Sequence, residues 1–317
     1  MSMFSALTRC QAPIHDTRAA RLSSIYTRAP MHLQRIGVWA HELRLGKEGV
    51  RREAATLLEE LGYGTLWFPG SGGDDSLDCA RVLLDATSRV TVATGITNIW
   101  TEDPVAVAAA HADLARTSDH RFVLGLGISH RHFVNQLGGN YDKPLSAMKV
   151  YLDALDEAPE PPPVGERVIA ALGPKMLAVS RERASGTHPY LVTAEHTRRA
   201  REAVGPDKVV APEQAVVLES DPARARALAR GHLELYLVLP NYVNNWKRLG
   251  FTDADVADGG SDRLVDALVA WGDEDAISAR VQEHVDAGAD HVCLQVIHDE
   301  DGLPQEQWRR LASALIG

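Results

Sequence analysis

The sequence predicts an α/β fold: a (β/α)8 TIM barrel with an insertion between strand 7 and the last barrel helix. Three observations carry this. Val90 to His132 reads strand, loop, helix, strand, loop, so that two successive strands run parallel. The pattern of helix, glycine and short buried strand occurs around Gly62 before residues 64–68, and again around Gly288 before His291 to Val296. Small and polar residues gather where strands end, as in Gly95-Ile96-Thr97-Asn98 and Gly125-Leu126-Gly127-Ile128-Ser129-His130. A parallel barrel carries its chemistry at those C-terminal ends.

Residues 1–34 hold no helical or strand period and set Arg9, Arg18, Arg21 and Arg28 against Asp16. They read as a disordered N-terminal extension, with Met31 an alternative start, ahead of one domain spanning 35–317. Strand 1 is 35–40. Val50, Ala54, Leu57, Leu58 and Leu61 mark an amphipathic helix that Gly62 closes as a left-handed cap. Strand 2 is 64–68. The loop Pro69 to Asp75 is rich in glycine but lacks a phosphate-binding pattern, so it receives no such role. Leu77, Ala80, Leu83 and Leu84 form the next helix, and strand 3 is 90–97. Asp103 stands at an N-cap and Pro104 at the first helical position, with Val105, Ala108, Ala109, Ala112 and Ala115 on one face. Strand 4 is 121–127, and Met148, Tyr151, Leu152 and Leu155 mark the helix after it.

Glu160-Pro161-Pro162-Pro163 reads as a loop, not a domain linker, because the alternation resumes at once. Strand 5 at 166–172, a helix at 174–183, strand 6 at 186–192, a helix at 195–204 and strand 7 at 208–218 follow. Asp221-Pro222 then opens a helical stretch that passes Asn241 and reaches Trp246-Lys247-Arg248, continues through a loop at 253–260, and becomes helical again from Leu264 to Trp271. That is too long for one crossover, and it is the insertion expected over the barrel mouth. Ile277, Val281 and Val285 mark the last barrel helix, 290–296 is strand 8, and a final helix begins at Gln305.

Composition narrows the function. A net charge of −10 argues against a nucleic-acid partner, which needs a basic face. Hydrophobic residues make up 45%, ample for a large core. The three cysteines Cys10, Cys79 and Cys293 are odd in number and lack metal-ligand spacing. They fit a reducing, cytoplasmic setting with neither a disulfide framework nor a metal site. No apolar run approaches the ~20 residues that span a bilayer, so no membrane role is expected. The expected partner is a small-molecule substrate, and a homodimer is compatible with this. No HExxH, CxxC or GxSxG occurs, which removes the commoner metalloprotease, thioredoxin and esterase readings.

GITNIWTEDP followed by RFVLGLGISH resembles the luciferase-like flavin and deazaflavin oxidoreductases, and is most similar to the actinobacterial branch dependent on coenzyme F420. AALGPKML, ASGTHPYLVTAEHTRRARE, LPNYVNNWKRLGF, GGSDRLVDALVAWGDEDAI and AGADHVCLQV continue the resemblance in order, from about Arg35 to the C-terminus. It implies a luciferase-like barrel that moves hydride between F420 and a small organic substrate. An FMN-dependent monooxygenase using reduced FMN and oxygen is the alternative, and a flavin-binding barrel without catalysis is a third reading.

The resemblance also implies roles at the strand ends. Gly95-Ile96 falls where relatives carry a bulge with a non-prolyl cis peptide under the cofactor ring; the residues alone show a glycine in a strand, which an ordinary β-bulge also explains. Thr97 and Asn98 would serve the polar edge of the ring, with Gly127 and Ser129 beside it. Gly173-Pro174-Lys175 corresponds to a turn near the cofactor phosphate, and a helix start suits an anion; an ordinary β-to-α turn has the same sequence. His188 would line that side or pack in a loop. His130 stands where deazaflavin sugar-phosphate dehydrogenases place a glutamate and is the candidate proton carrier, with His41 and His132 behind it. Trp39, His41, Trp100, Tyr242 and Trp246 would form the substrate pocket. Trp39 equally fits a core position, and Tyr242 and Trp246 belong to an amide–aromatic cluster with Asn241, Asn244 and Asn245 that closes as a lid or merely caps the barrel. His111 and His232 read as structural.

Overall fold

The computed structural model describes residues 31, 33–70, 76–136 and 141–317; the expected N-terminal extension before Met31 and the glycine-rich residues 71–75 lie outside these. β1 (Ile36–Trp39) is followed by α1 (Glu42–Leu45), α2 (Glu48–Glu60) and β2 (Thr65–Phe68). Next come α3 (Ser76–Asp85), β3 (Thr91–Thr94), β4 (Thr97–Asn98), α4 (Pro104–Thr117) and β5 (Phe122–Gly127). The chain continues through α5 (Arg131–Gln136), α6 (Pro144–Asp156), β6 (Arg167–Ile169), α7 (Pro174–Arg183), β7 (Gly186–Thr187) and α8 (Ala194–Val204). After β8 (Val209–Val210) and β9 (Glu213–Val217) lie α9 (Pro222–Leu233), α10 (Pro240–Arg248), α11 (Asp253–Val256) and α12 (Asp262–Leu268). β10 (Val269–Trp271), α13 (Glu274–Asp286), β11 (Val292–Val296) and α14 (Gln305–Leu315) finish it.

The strands pair in parallel along the path β9, β11, β1, β2, β3, β5, β6, β7, β8. The two ends of this path, β8 and β9, are separated in the chain by Ala211 and Pro212, so the sheet curls round on itself. Pro212 has no N–H to give a ladder, which divides strand 7 there, while its carbonyl still accepts from Cys293 N at 3.0 Å.

Three expectations are corrected. Strand 3 does not run unbroken to residue 97: it ends at Thr94, and β4 pairs separately with β5 after the Gly95–Ile96 peptide. Strands 5 and 6 are three and two residues long; Ala170 N and His188 N still bond Leu126 O and Ile169 O, and the chain beyond them lines the barrel mouth. Val269 to Trp271, expected in a helix, is a strand paired with β9, Val269 opposite Ala215. Beside its partner β6, β7 reaches only the β8 part of strand 7, and the free edge of β9 takes up Val269–Trp271 instead.

Local chemistry explains several helix ends. The Asp103 carboxylate accepts from Val105 N at 3.0 Å and Ala106 N at 2.9 Å, with Pro104 at the first turn. Asp221 caps α9 in the same way. Gly62 and Gly288 follow α2 and α13 at φ +91° and +98°, the left-handed geometry that lets a helix stop and a strand begin within a few residues. Inside the barrel Trp67 stacks on His188, with ring centroids 4.1 Å apart, and donates to His291 Nε2 at 3.0 Å. Ala93, Ala211 and Gly37 supply the room those large rings need. Among the described residues no helix is long and apolar enough to cross a membrane.

Candidate active site

The C-terminal ends of β3, β5, β6 and β7 open, with α10 above them, into a cavity of about 690 Å³. Twelve of the residues given a cofactor, pocket or proton-transfer role from the sequence line it: Trp39, His41, Gly95, Ile96, Gly127, Ser129, His130, Gly173, Pro174, Lys175, His188 and Tyr242, joined by Asn241 and Asn244 of the amide–aromatic cluster. They come from segments up to two hundred residues apart, and parallel strands bring them to one rim.

At the floor the Gly95–Ile96 peptide is cis. It is clasped by glycines. A methyl group at Gly125 would lie 1.9 Å from the Thr94 carbonyl oxygen, one at Gly127 would lie 2.4 Å from Ile96 Cδ1, and one at Gly70 would meet the Ile96 carbonyl carbon at 2.7 Å. The glycines of the GLG segment therefore admit the neighbouring bulge, and Ile96 occupies the space over Gly127. Thr97 and Asn98 do not line the cavity. The Thr97 hydroxyl donates to Thr94 Oγ1 at 3.2 Å, and the Asn98 amide oxygen accepts from Trp100 N at 3.2 Å, so both side chains are used inside the fold. Trp100 packs behind the rim, donating to the Ile128 carbonyl at 2.8 Å and resting on Tyr141. Trp246 is fully buried and donates to the Leu191 carbonyl at 3.1 Å, a core role in place of the expected pocket role.

Two ring nitrogens beside Gly95 are buried without a hydrogen-bond partner, Trp39 Nε1 and His188 Nε2. A methyl group at Gly95 would come within 2.5 Å of the first and 3.1 Å of the second. His188 Nδ1 lies 2.8 Å from the Ala211 carbonyl, which only accepts, so Nδ1 carries the proton and Nε2 is left an acceptor. Burial pushes His188 down to about 4, so the ring is neutral near pH 7. A donor and an acceptor thus sit side by side at the cavity floor.

His130 follows β5 at the cavity wall. Its ring is flanked by Tyr242 at 5.3 Å and Phe133 at 5.9 Å between centroids, and Asn241 Nδ2 lies 3.4 Å from Nδ1. Burial drives its pKa down to about 4. His132 lies off the cavity and bonds Gln136 at 3.0 Å. His41 is perpendicular to Trp39 at 4.8 Å, its pKa also lowered by burial.

The opposite corner is cationic. Gly173 caps the ten-residue α7, Pro174 occupies its first turn, and Lys175 follows. Arg248, from the end of α10, reaches the same corner, its Nη2 3.8 Å from the place a methyl group on Gly173 would take. Neither Lys175 nor Arg248 pairs with a carboxylate among the described residues. Arg248 was missed from the sequence, as were Tyr190 and Phe133. Nothing local in WKRLGF ties it to a turn 75 positions earlier. Tyr190 donates to Gln295 Oε1 at 2.7 Å and lies 3.1 Å from the Tyr236 hydroxyl.

A family model described as luciferase-like monooxygenase matches residues 46–291. The 5,10-methylenetetrahydromethanopterin reductase of Methanolobus tindarius is 23% identical over 292 residues, covering 75% of this chain and 87% of its own. The coenzyme F420-dependent tetrahydromethanopterin reductase from Methanopyrus kandleri has a similar fold, with a TM-score of 0.72 at 15% identity over 90% of this chain and 99% of that one. The oxygenating constituent of the 3,6-diketocamphane monooxygenase from the CAM plasmid of Pseudomonas putida, solved in complex with FMN, gives 0.61 at 15% identity over 89% and 96%.

Proposed function

The chain belongs to the luciferase-like monooxygenase family, and from that premise we propose that it is a coenzyme F420-dependent oxidoreductase that transfers hydride between the deazaflavin and a small organic substrate. The observation that carries this is the meeting, in one cavity, of the Gly95–Ile96 bulge and the cationic start of α7. A cofactor with a flat ring and an anionic tail needs both. The F420-dependent enzyme among the similar folds supports the deazaflavin.

The cofactor, when bound, supplies hydride chemistry at carbon five of its ring. The protein's part is to hold, orient and dry. Lys175, Arg248 and the first turn of α7 receive the anionic tail. Ile96 would offer an apolar surface to the ring, with the buried nitrogens Trp39 Nε1 and His188 Nε2 packed beside Gly95 beneath it. Phe133 and Tyr242 keep water from His130. A ring with a pKa of about 4 is neutral near pH 7, so His130 acts as a proton acceptor when the substrate is oxidised and returns that proton in the reverse direction.

A second reading, an FMN-dependent monooxygenase, is favoured by the FMN-bound neighbour. Fluorescence titration of the purified protein with F420 and with FMN separates the two. Saturable binding of F420 is expected, weakened about tenfold or more by Arg248→Ala, since one charge-assisted hydrogen bond contributes about 1.5–3 kcal/mol. Tight binding of FMN with indifference to F420 would overturn the deazaflavin assignment.

A further inference from the structure

Seven rings in the cavity lining neighbour one another in an unbroken chain. His41 meets Trp39 at 4.8 Å between centroids, Trp39 meets Tyr190 at 5.3 Å, and Tyr190 meets Tyr236 and Tyr242 at 5.5 and 6.2 Å. Tyr242 meets His130 at 5.3 Å, and His130 meets Phe133 at 5.9 Å. The rings come from segments that follow β1, β5 and β7, from the turn Tyr236–Val238 and from α10. No single stretch of sequence carries this belt; the barrel assembles it at its rim.

The belt carries no charge near pH 7. Burial lowers both His130 and His41, and it raises the hydroxyls of Tyr190, Tyr236 and Tyr242, so the imidazoles are neutral and the phenols keep their protons. The Tyr190 hydroxyl is already engaged by Gln295 and Tyr236. No aspartate or glutamate stands among the described residues that line the cavity. Its permanent cations, Lys175 and Arg248, belong to the start of α7 and the end of α10. Arg248 lies six residues beyond Tyr242 on that helix, about 9 Å along its axis. Beside the belt the mouth is apolar: Leu235 and Val238, flanking and within the turn that holds Tyr236, are 47% and 74% exposed. Large apolar side chains left bare at a pocket mouth suit an apolar ligand.

We propose that the aromatic belt is the substrate side of the cavity and that it selects an uncharged molecule with a flat, π-conjugated ring, rejecting phosphorylated and carboxylate substrates. The proposal rests on reading the Gly95–Ile96 floor and the Lys175–Arg248 corner as the cofactor site. With both cations engaged by the cofactor's anionic tail, an anionic substrate meets only neutral rings and loses its hydration without gaining a partner. A flat ring gains edge-to-face and offset contacts that a saturated ring of the same size does not make, because ring pairs contribute beyond the area they bury. The belt offers both orientations: Tyr236 and Tyr242 stand 85° apart, His130 and Phe133 76°, His130 and Tyr242 35°. Because His130 is itself a member, a ring held by the belt lies beside the proton carrier. Phe133 and Tyr236, half-buried in the lining, are the specificity-determining residues of this reading.

The test is equilibrium dialysis at neutral pH on the full chain loaded with oxidised F420. The probe is naphthalene-2-carboxamide. Naphthalene-2-carboxylate differs from it in charge, N-methylquinolinium is a flat cation, and decahydronaphthalene-2-carboxamide keeps the amide without the conjugation. The aromatic amide should bind about tenfold or more tighter than either ion, and about threefold to tenfold tighter than its saturated analogue. Phe133→Leu and Tyr236→Leu, which keep apolar bulk and remove a ring, should each weaken it about threefold to tenfold and change F420 affinity far less. Absence of amide binding, equal or tighter binding of the carboxylate, the cation or the saturated amide, displacement of F420 by the amide, or an affinity unmoved by both variants would overturn the proposal. If the chain does not bind F420, the same probes are applied to the chain alone. Selective binding of the aromatic amide, weakened by both variants, then keeps the belt as a ring site while the cofactor reading falls; unselective binding overturns both.

Discussion

His130 shows how far a residue's role depends on its surroundings. From the sequence it was a titrating side chain at a strand end; in the structure it is a neutral ring between Phe133 and Tyr242, with its pKa at about 4 because burial disfavours the charged form. If it accepts the proton during substrate oxidation, turnover should hold through neutrality and fall as pH drops through about 4. An acid limb near 6.5 in the kcat profile would contradict this. His130→Ala should lower kcat by about 10²–10⁴-fold and change F420 affinity far less; wild-type turnover in that variant would leave the residue as wall. The residues that left the site did so for equally local reasons. Thr97 and Asn98 spend their polar atoms on Thr94 and Trp100, and Trp246 spends its indole N–H on Leu191. Their residue types were legible, but not which way each side chain turns. Arg248 entered the site because α10 ends beside Gly173, a relation with no sequence signature.

At the scale of elements, punctuation was read well and strand length poorly. Asp103-Pro104 starts α4 where expected, and replacing Asp103 by Ala should cost about 1 kcal/mol, because two backbone N–H groups lose their acceptor. A thermal melt unchanged by that substitution would show that the cap contributes nothing. The bulge gives a sharper contrast. Gly125→Ala sets a methyl group 1.9 Å from the Thr94 carbonyl oxygen and should destabilise by about 1–3 kcal/mol. Gly49→Ala, in α2 with nothing within 4 Å, should stabilise by about 0.5–1 kcal/mol. Equal melting temperatures for the two variants would refute the packing argument. β6 and β7 are shorter than their apolar runs, and the residues beyond them line the cavity. β10 exists because β7 leaves the edge of β9 unpaired. Both outcomes depend on the neighbour across the sheet, which an apolar run does not encode.

At the scale of the whole molecule the buried histidines set the response to acid. His130, His188, His196, His232 and His291 are lowered to about 4, and His284 to about 3, each chiefly by burial. Unfolded, they would bind protons near 6.5, so between about 6.5 and 4 the unfolded chain holds more protons and stability falls as pH falls. Glu213, raised to about 8 by burial, and His298, raised by Glu42, act in the opposite sense, but they are two groups against six. The melting temperature should therefore decline from about pH 6.5 downward, before carboxylates such as Glu195 and Asp255, both held at about 2, begin to matter. A flat profile from pH 7 to 5 would contradict the burial of these rings. The α/β alternation apart from β10, the strand-end position of the candidate cavity and the glycine-marked turns were determined by the sequence alone, because hydrophobic period, caps and backbone conformation are local properties. The pairing of β1 with β11, the clasp of three glycines around one bulge and the reach of Arg248 to α7 were decided by tertiary structure. Each depends on distances between segments remote in the chain, and packing, not residue type, sets those distances.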